Sequence, residues 1–245
     1  MSRHQILANL NEKGISVTDV TVDAKAIVAY LRKCMVYNAH VQVYATEEKW
    51  CERVLEEKKW PMFCHSMADV LQIPGFLETA LGFRSLVGMY FGGQTPLLYS
   101  LNAFWSQPAE GTPYKETHDW HRDGDDIKQL VMFAFGTDSK GAHLYQRGSH
   151  RIADAQLGYF YKQPPMSALE GVPGKAGTVF LSDTSGLHVG IRPDQPRLLL
   201  WARWGVSDPP KSYVWDKLSP LPRSLIGDRY PSDPALQHAI KLVVQ

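Results

Sequence analysis

The spacing of apolar positions changes character once along the chain, near Leu86. Before that point apolar residues recur at mixed three and four spacing, the period of an amphipathic helix. DAKAIVAYLRKCMVYN opens on Asp23, a residue type that caps helices by accepting from their free N–H groups. TEEKWCERVLEEKKW starts with Thr46 and acids and ends in lysines, the charge order that a helix dipole favours. SMADVLQIPGFLETALG continues the pattern, with Pro74 and Gly75 splitting it into two pieces. These segments predict a mostly helical part over residues 1–85, with its charges on solvated faces.

After Leu86 the runs shorten. SLVGMYFG, PLLYSLNAFW, KQLVMFAFGT, KAGTVFLSD and RLLLWARWGV are rich in Val, Leu, Phe, Tyr and Trp. Clusters of Gly, Pro, Asp and Ser separate them, which are strand and turn signals. No long helical segment intervenes, so a parallel doubly wound sheet is disfavoured. A mainly β sandwich or barrel, buttressed by the N-terminal helices, is the expected architecture. The tail from Pro209 is proline-rich and closes on DPALQHAIKLVVQ, a predicted last helix. Without repeats or low-complexity tracts, the pattern reads as one domain over residues 1–245, its β core spanning about 86–213 and its tail 214–245.

Composition narrows the partners. Apolar residues make up 44% of the chain and charged residues 21%, ordinary values for a globular protein. A net charge of +1 leaves no electrostatic footprint for nucleic acid or an anionic membrane. No apolar run approaches the roughly 18 residues of a membrane span. The N-terminal MSRHQILANLNEKG carries charges where a signal peptide needs an apolar run. Cys34, Cys51 and Cys64 lack CxxC spacing and read as reduced thiols. The expectation is a cytoplasmic protein without nucleic-acid or membrane partners, monomeric or homo-oligomeric.

Candidate chemistry concentrates in THDWHRDGDD, residues 117–126, with two histidines, four aspartates and an arginine. A calcium loop counted from Asp119 fails, because its third position is His121 and its twelfth is Leu130, where a bidentate glutamate is needed. HExxH, GxSxG, the Walker loop and GxGxxG are all missing from the sequence. The pair His121 and Asp123 remains. Residues two apart on a strand point to one side, so an imidazole and a carboxylate can reach one ion. His118 competes as first ligand, but Trp120, two residues on, cannot coordinate. Asp125 and Asp126 follow Gly124 and read as turn or solvated residues, with His118 and Asp119 near the ligands or exposed.

Iron(II) in oxygenases takes two histidines and one carboxylate on one face, which calls for a histidine on a later strand. Of nine histidines, His188 lies after the strand Thr178–Leu181 and a Ser-Asp-Thr-Ser-Gly turn. Nine residues later Arg197 opens the apolar run LLLW. An inward-facing arginine there needs an anion, and its planar fork suits a carboxylate. A small dicarboxylate chelating iron at one end and meeting Arg197 at the other fits; Arg192 is the alternative.

HRD at 121–123, GAHLYQRGSH at 141–150, GTVFL at 177–181, His188 and Arg197, in that order, resemble the phytanoyl-CoA dioxygenase family. The resemblance covers roughly Tyr99 to Tyr213. It implies a double-stranded β-helix (jelly roll, cupin-like) core with an N-terminal helical buttress. It also implies Fe(II) held by His121, Asp123 and His188, 2-oxoglutarate as cosubstrate gripped by Arg197, and O2. Oxidation of the substrate, usually hydroxylation, would then accompany release of succinate and CO2. Tyr99 and Asn102 are candidates to line the cosubstrate pocket, and Arg122, Arg203 and Trp204 to meet the substrate, with one of the last two facing inward. The intact carboxylate of Asp123 favours hydroxylation or another oxidation over halogenation, and a chain short for this family favours a small-molecule substrate. Arg147 stands where the family has the proline of its PGSH turn, His143 where it has a leucine, and Gly190 where a serine is common. A cupin-like metal enzyme without 2-oxoglutarate, or a metal-binding barrel without catalysis, are the other readings.

Overall fold

The computed structural model describes residues 1–40, 43–108, 119–152, 164–208 and 220–245. His118 and the start of the proline-rich tail lie outside these residues, so their readings stay with the sequence. The first third is mixed rather than mostly helical. In chain order it holds α1 (Arg3–Lys13), β1 (Ile15–Thr21), α2 (Ala24–Leu31), β2 (Met35–His40) and β3 (Val43–Trp50). There follow α3 (Cys51–Glu57), β4 (Met62–Cys64), α4 (Met67–Leu71), α5 (Phe76–Gly82) and α6 (Arg84–Tyr90). The remaining strands are β5 (Leu97–Ser106), β6 (Gln129–Phe135), β7 (Ser139–Gln146), β8 (Leu169–Gly174), β9 (Thr178–Ser182), β10 (His188–Gly190) and β11 (Arg197–Gly205). Helix α7 (Pro234–Ile240) starts from an Asp233 cap and lies in the segment predicted as the last helix.

Three sequence expectations are corrected here. Asp23 does cap α2, accepting from the Ala26 N–H, but the helix stops at Leu31 and MVYNAH becomes β2. Likewise the residues up to Trp50 form β3, and the predicted helix begins only at Cys51. Amphipathic periodicity over short windows did not separate these neighbours. The segment SLVGMYFG, read as a strand, is α6 instead. Its buried positions Phe83, Leu86, Val87 and Phe91 follow three and four spacing, the helical period.

An eight-stranded sheet runs in the order β1-β9-β6-β11-β5-β4-β2-β3, and a three-stranded sheet in the order β10-β7-β8. Every pairing between these strands is antiparallel. N-terminal strands thus extend the large sheet at both edges. Ile15, Phe133, Phe135, Tyr145, Val172 and Phe180 pack between the two sheets, joined by Leu199 and Trp201. The other face of the large sheet packs Leu198, Leu200, Ala202 and Trp204 against helix residues such as Leu10, Phe76 and Val87. Alternation along β11 therefore separates an inner face, with Leu199 and Trp201, from a helix-covered face. No helix among the described residues is long and apolar enough to cross a membrane.

One buried histidine of the helix-covered side is a stability sensor. His65 is 4% exposed and its Nε2 accepts from Trp105 Nε1–H at 3.1 Å. Burial pushes its pKa down to about 4. The unfolded chain binds this proton near the ordinary value of about 6.5, so His65 supports the fold above that pH and withdraws support as pH falls toward 4. Chemical unfolding curves for the metal-free protein should lose up to about 1.4 kcal/mol per pH unit from this group in that window. His65→Gln should flatten the slope, and an unchanged slope would contradict the assignment.

Candidate metal centre

His121 enters the site through a short antiparallel bridge to the first residue of β10. Its N–H donates to the His188 carbonyl at 3.0 Å, and His188 N–H donates back to His121 O at 2.9 Å. Two residues on, Asp123 N–H donates to Thr184 O at 2.8 Å, so the HRD stretch is stitched to the turn preceding β10. The imidazole centroids of His121 and His188 are 4.3 Å apart, and His121 Nε2 lies 3.7 Å from Asp123 Oδ1. One ligand atom from each of His121, Asp123 and His188 falls within 4.8 Å of the others.

The tautomers follow from the backbone. His121 Nδ1 is 2.7 Å from Asp119 O, and His188 Nδ1 is 2.9 Å from Gly186 O. A carbonyl only accepts, so each Nδ1 carries the proton and each Nε2 keeps a lone pair for a metal. Burial and the neighbouring His121 push the His188 pKa down to about 4, leaving it neutral at pH 7. Burial alone would raise Asp123, but the Arg203 guanidinium and the two histidines hold it down to about 2. Two imidazoles and one carboxylate are the donor set that suits iron(II) with open positions.

Arg203 lies beside this group. It reaches Asp123 Oδ2 at 3.3 Å and forms a close ion pair with Asp125. Its guanidinium also stands 5.7 Å from the Trp201 ring centroid. One oxygen of Asp123 thus faces His121 while the other is held by Arg203. Asp125 and Asp126, read from sequence as turn or solvated residues, are tied down. Gln129 Oε1 accepts from both their N–H groups at 3.1 and 3.3 Å, and its Nε2 donates to Asp123 O at 2.8 Å. Asp126 accepts from Val206 N–H at 2.7 Å and Ser207 N–H at 2.9 Å, and from the Ser207 hydroxyl. The loop is pinned to the end of β11 by contacts across about eighty residues, which local sequence does not display.

The turn before His188 is equally fixed. Asp183 accepts from Tyr90 Oη–H at 2.6 Å and from Ser185 N–H at 3.0 Å. Tyr145 Oη–H donates to Asp183 O at 2.8 Å, and Asp183 N–H donates to Gly14 O at 2.8 Å. Ser149, of the recognised RGSH segment, accepts from Leu187 N–H at 2.8 Å. Gly186 sits so close to Tyr145 that an added Cβ would meet its hydroxyl at 1.8 Å. Gly186→Ala must therefore shift the turn that carries His188. Overpacking of this kind costs about 1–3 kcal/mol, and we expect that loss in denaturant unfolding together with weaker Fe(II) binding. Wild-type values for both would contradict the tight fit.

The other predicted residues divide by face. Arg197, 4% exposed at the start of β11, donates from Nη1 to Ile191 O at 2.7 Å. Arg192, the alternative, is exposed. Burial lowers the Arg197 pKa to about 10, so it stays charged at neutral pH. Asn102 pairs with Trp201 across β5 and β11 and donates to Ser100 Oγ at 2.6 Å. Tyr99 lies at the β-bulge by Gly205, whose added Cβ would meet its ring at 3.1 Å. Arg122 donates to Ile152 O at 3.1 Å and Ser185 O at 3.2 Å, clamping the HRD stretch to two turns. Trp204 is fully buried in the helix-side core, so the alternation that turns Arg203 inward removes Trp204 from any substrate face. The inward tryptophan is Trp201, stacked on Phe104 with centroids 4.4 Å apart. Counting by twos from Arg197 would have found it.

Two antiparallel sheets facing each other, the larger backed by helices, make a jelly-roll arrangement that solved structures share. The non-heme alpha ketoglutarate dependent epimerase SnoN from nogalamycin biosynthesis matches with a TM-score of 0.56 and 16% identity, over 82% of this chain and 80% of that one. EvdO2 from Micromonospora carbonacea var. aurantiaca, complexed with 2-oxoglutarate, matches with 0.56 and 15% identity over 86% and 96%. HygX from Streptomyces hygroscopicus, with nickel and 2-oxoglutarate bound, matches with 0.55 and 11% identity over 84% and 88%. No family model matches the chain, and no curated protein matches it in sequence.

Proposed function

We propose that this chain is an Fe(II)- and 2-oxoglutarate-dependent oxygenase that hydroxylates a small molecule, with succinate and CO2 as coproducts. The observation that carries the reading is the clustering of His121, Asp123 and His188 ligand atoms within 4.8 Å, with both Nδ1 atoms committed to carbonyls. Iron(II) with 2-oxoglutarate, when bound, supplies O2 activation coupled to decarboxylation. The protein's residues supply placement. His121, Asp123 and His188 would hold the metal on one face, and Arg203 and Gln129 keep Asp123 in position. Arg197 would take the far carboxylate. Three strand residues, about 10 Å, run from His188 to Ile191, whose carbonyl Arg197 touches. A five-carbon dicarboxylate, about 5 Å between end carbons, fills that span with a coordination bond at one end and a hydrogen bond at the other.

Phe104, Trp201 and Phe133 offer an apolar wall that would exclude water from the reacting atoms. A structural neighbour of this fold, SnoN, is an epimerase solved in complex with nogalamycin RO, a small molecule. Asp123 keeps its carboxylate in the candidate metal group, which favours hydroxylation or another oxidation over halogenation. Three free cysteines, two with thiols pushed up to about 12 by burial, support a reducing, cytoplasmic setting. The test is aerobic incubation with Fe(II) and 2-oxoglutarate, with and without a panel of small molecules. Iron-dependent succinate release stimulated by a substrate supports the proposal. No 2-oxoglutarate turnover under any of these conditions would favour a metal enzyme of another kind or a binding protein.

A further inference from the structure

A third histidine faces the same interior and belongs to neither the metal group nor the core. His143 projects from β7 with 5% exposure, and its Nε2 has no hydrogen-bond partner. Phe133 and Phe180 flank the ring at centroid distances of 5.2 and 5.1 Å, and His188 lies at 5.5 Å. Buried polar atoms in folded proteins are almost always satisfied, so one left open beside a site marks a missing partner. His143 is not a fourth ligand, because it is outside the three residues whose donor atoms cluster within 4.8 Å.

Strand β10 locates it. His188 pairs with Tyr145, Gly190 pairs with His143, and the next carbonyl, that of Ile191, accepts from Arg197. Residues 143 and 145 share a face of β7, so His143 stands alongside the path from the metal group to the Arg197 guanidinium. Two strand residues, about 7 Å, separate its level from that of His188. A neutral imidazole there has one N–H to give, and the bound species lying along that path is a dicarboxylate.

We propose that His143 is a cosubstrate-binding residue whose ring N–H donates to 2-oxoglutarate between the metal group and Arg197. The inference rests on the oxygenase reading above and adds a residue to it. The test is anaerobic titration of the Fe(II)-loaded protein with 2-oxoglutarate, followed by the visible metal-to-ligand charge-transfer band. His143→Leu and His143→Phe remove the donor with apolar groups, and His143→Gln restores one. The two apolar variants should bind Fe(II) like wild type yet require about 10-fold more 2-oxoglutarate, a loss of about 1.4 kcal/mol, with a shifted band. The glutamine variant should recover most of the affinity. Equal 2-oxoglutarate affinity in all four proteins overturns the proposal, as does a parallel loss of Fe(II) binding, which would make His143 structural. If wild type itself gives no band, the 2-oxoglutarate reading falls and takes this inference with it.

Discussion

Asp123→Ala is expected to weaken Fe(II) binding by more than about 100-fold and to abolish substrate oxidation. Loss of a residue that merely supports a ligand costs about 10–100-fold in metal affinity, and Asp123 is read as a ligand. It supplies the anionic member of the group, ionised down to about pH 2. The variant should still fold, because Arg203 keeps its ion pair with Asp125 and Asp126 keeps its bonds to Val206 and Ser207. Competition against a fluorescent chelator measures the affinity, and unfolding curves check the fold. Wild-type Fe(II) affinity in a folded variant would remove Asp123 from the metal group.

Arg197→Ala is expected to raise the 2-oxoglutarate requirement by at least about 30-fold while leaving Fe(II) affinity unchanged. Truncating one member of a buried, hydrogen-bonded charge pair costs about 2–5 kcal/mol, and each 1.4 kcal/mol is tenfold. With the far carboxylate on Arg197 in the bound state, the loss should appear in cosubstrate binding and not in the metal. Arg197→Lys should recover part of the affinity, since an ammonium keeps the charge but not the planar fork. Unchanged 2-oxoglutarate dependence in the alanine variant would transfer the role elsewhere.

Much of the site was legible because strands write their faces by twos. His121 and Asp123 stand two apart, and the structure joins them to His188 through reciprocal backbone bonds. Arg197 was readable as a charge opening a buried run, and it is buried. The same period, carried four and six residues further, selects Trp201 and Arg203, and leaves Trp204 on the helix-covered face. What stayed hidden depends on long-range pairing. Nothing near Asp125 or Asp126 in sequence announces Arg203 or Val206 as partners, and Asp183 meets Tyr90 across ninety-three residues. The N-terminal strands were lost for a local reason. MVYNAH follows α2 after a short turn, and a helical window laid over both segments blurs the boundary.

The most direct measurement is a crystal structure of the protein grown anaerobically with Fe(II) and 2-oxoglutarate. One metal should be bound by His121 Nε2, Asp123 Oδ1 and His188 Nε2, with the keto-acid end of the dicarboxylate on the metal and the far carboxylate on Arg197. A metal held by other residues, or a dicarboxylate away from Arg197, would contradict this assignment.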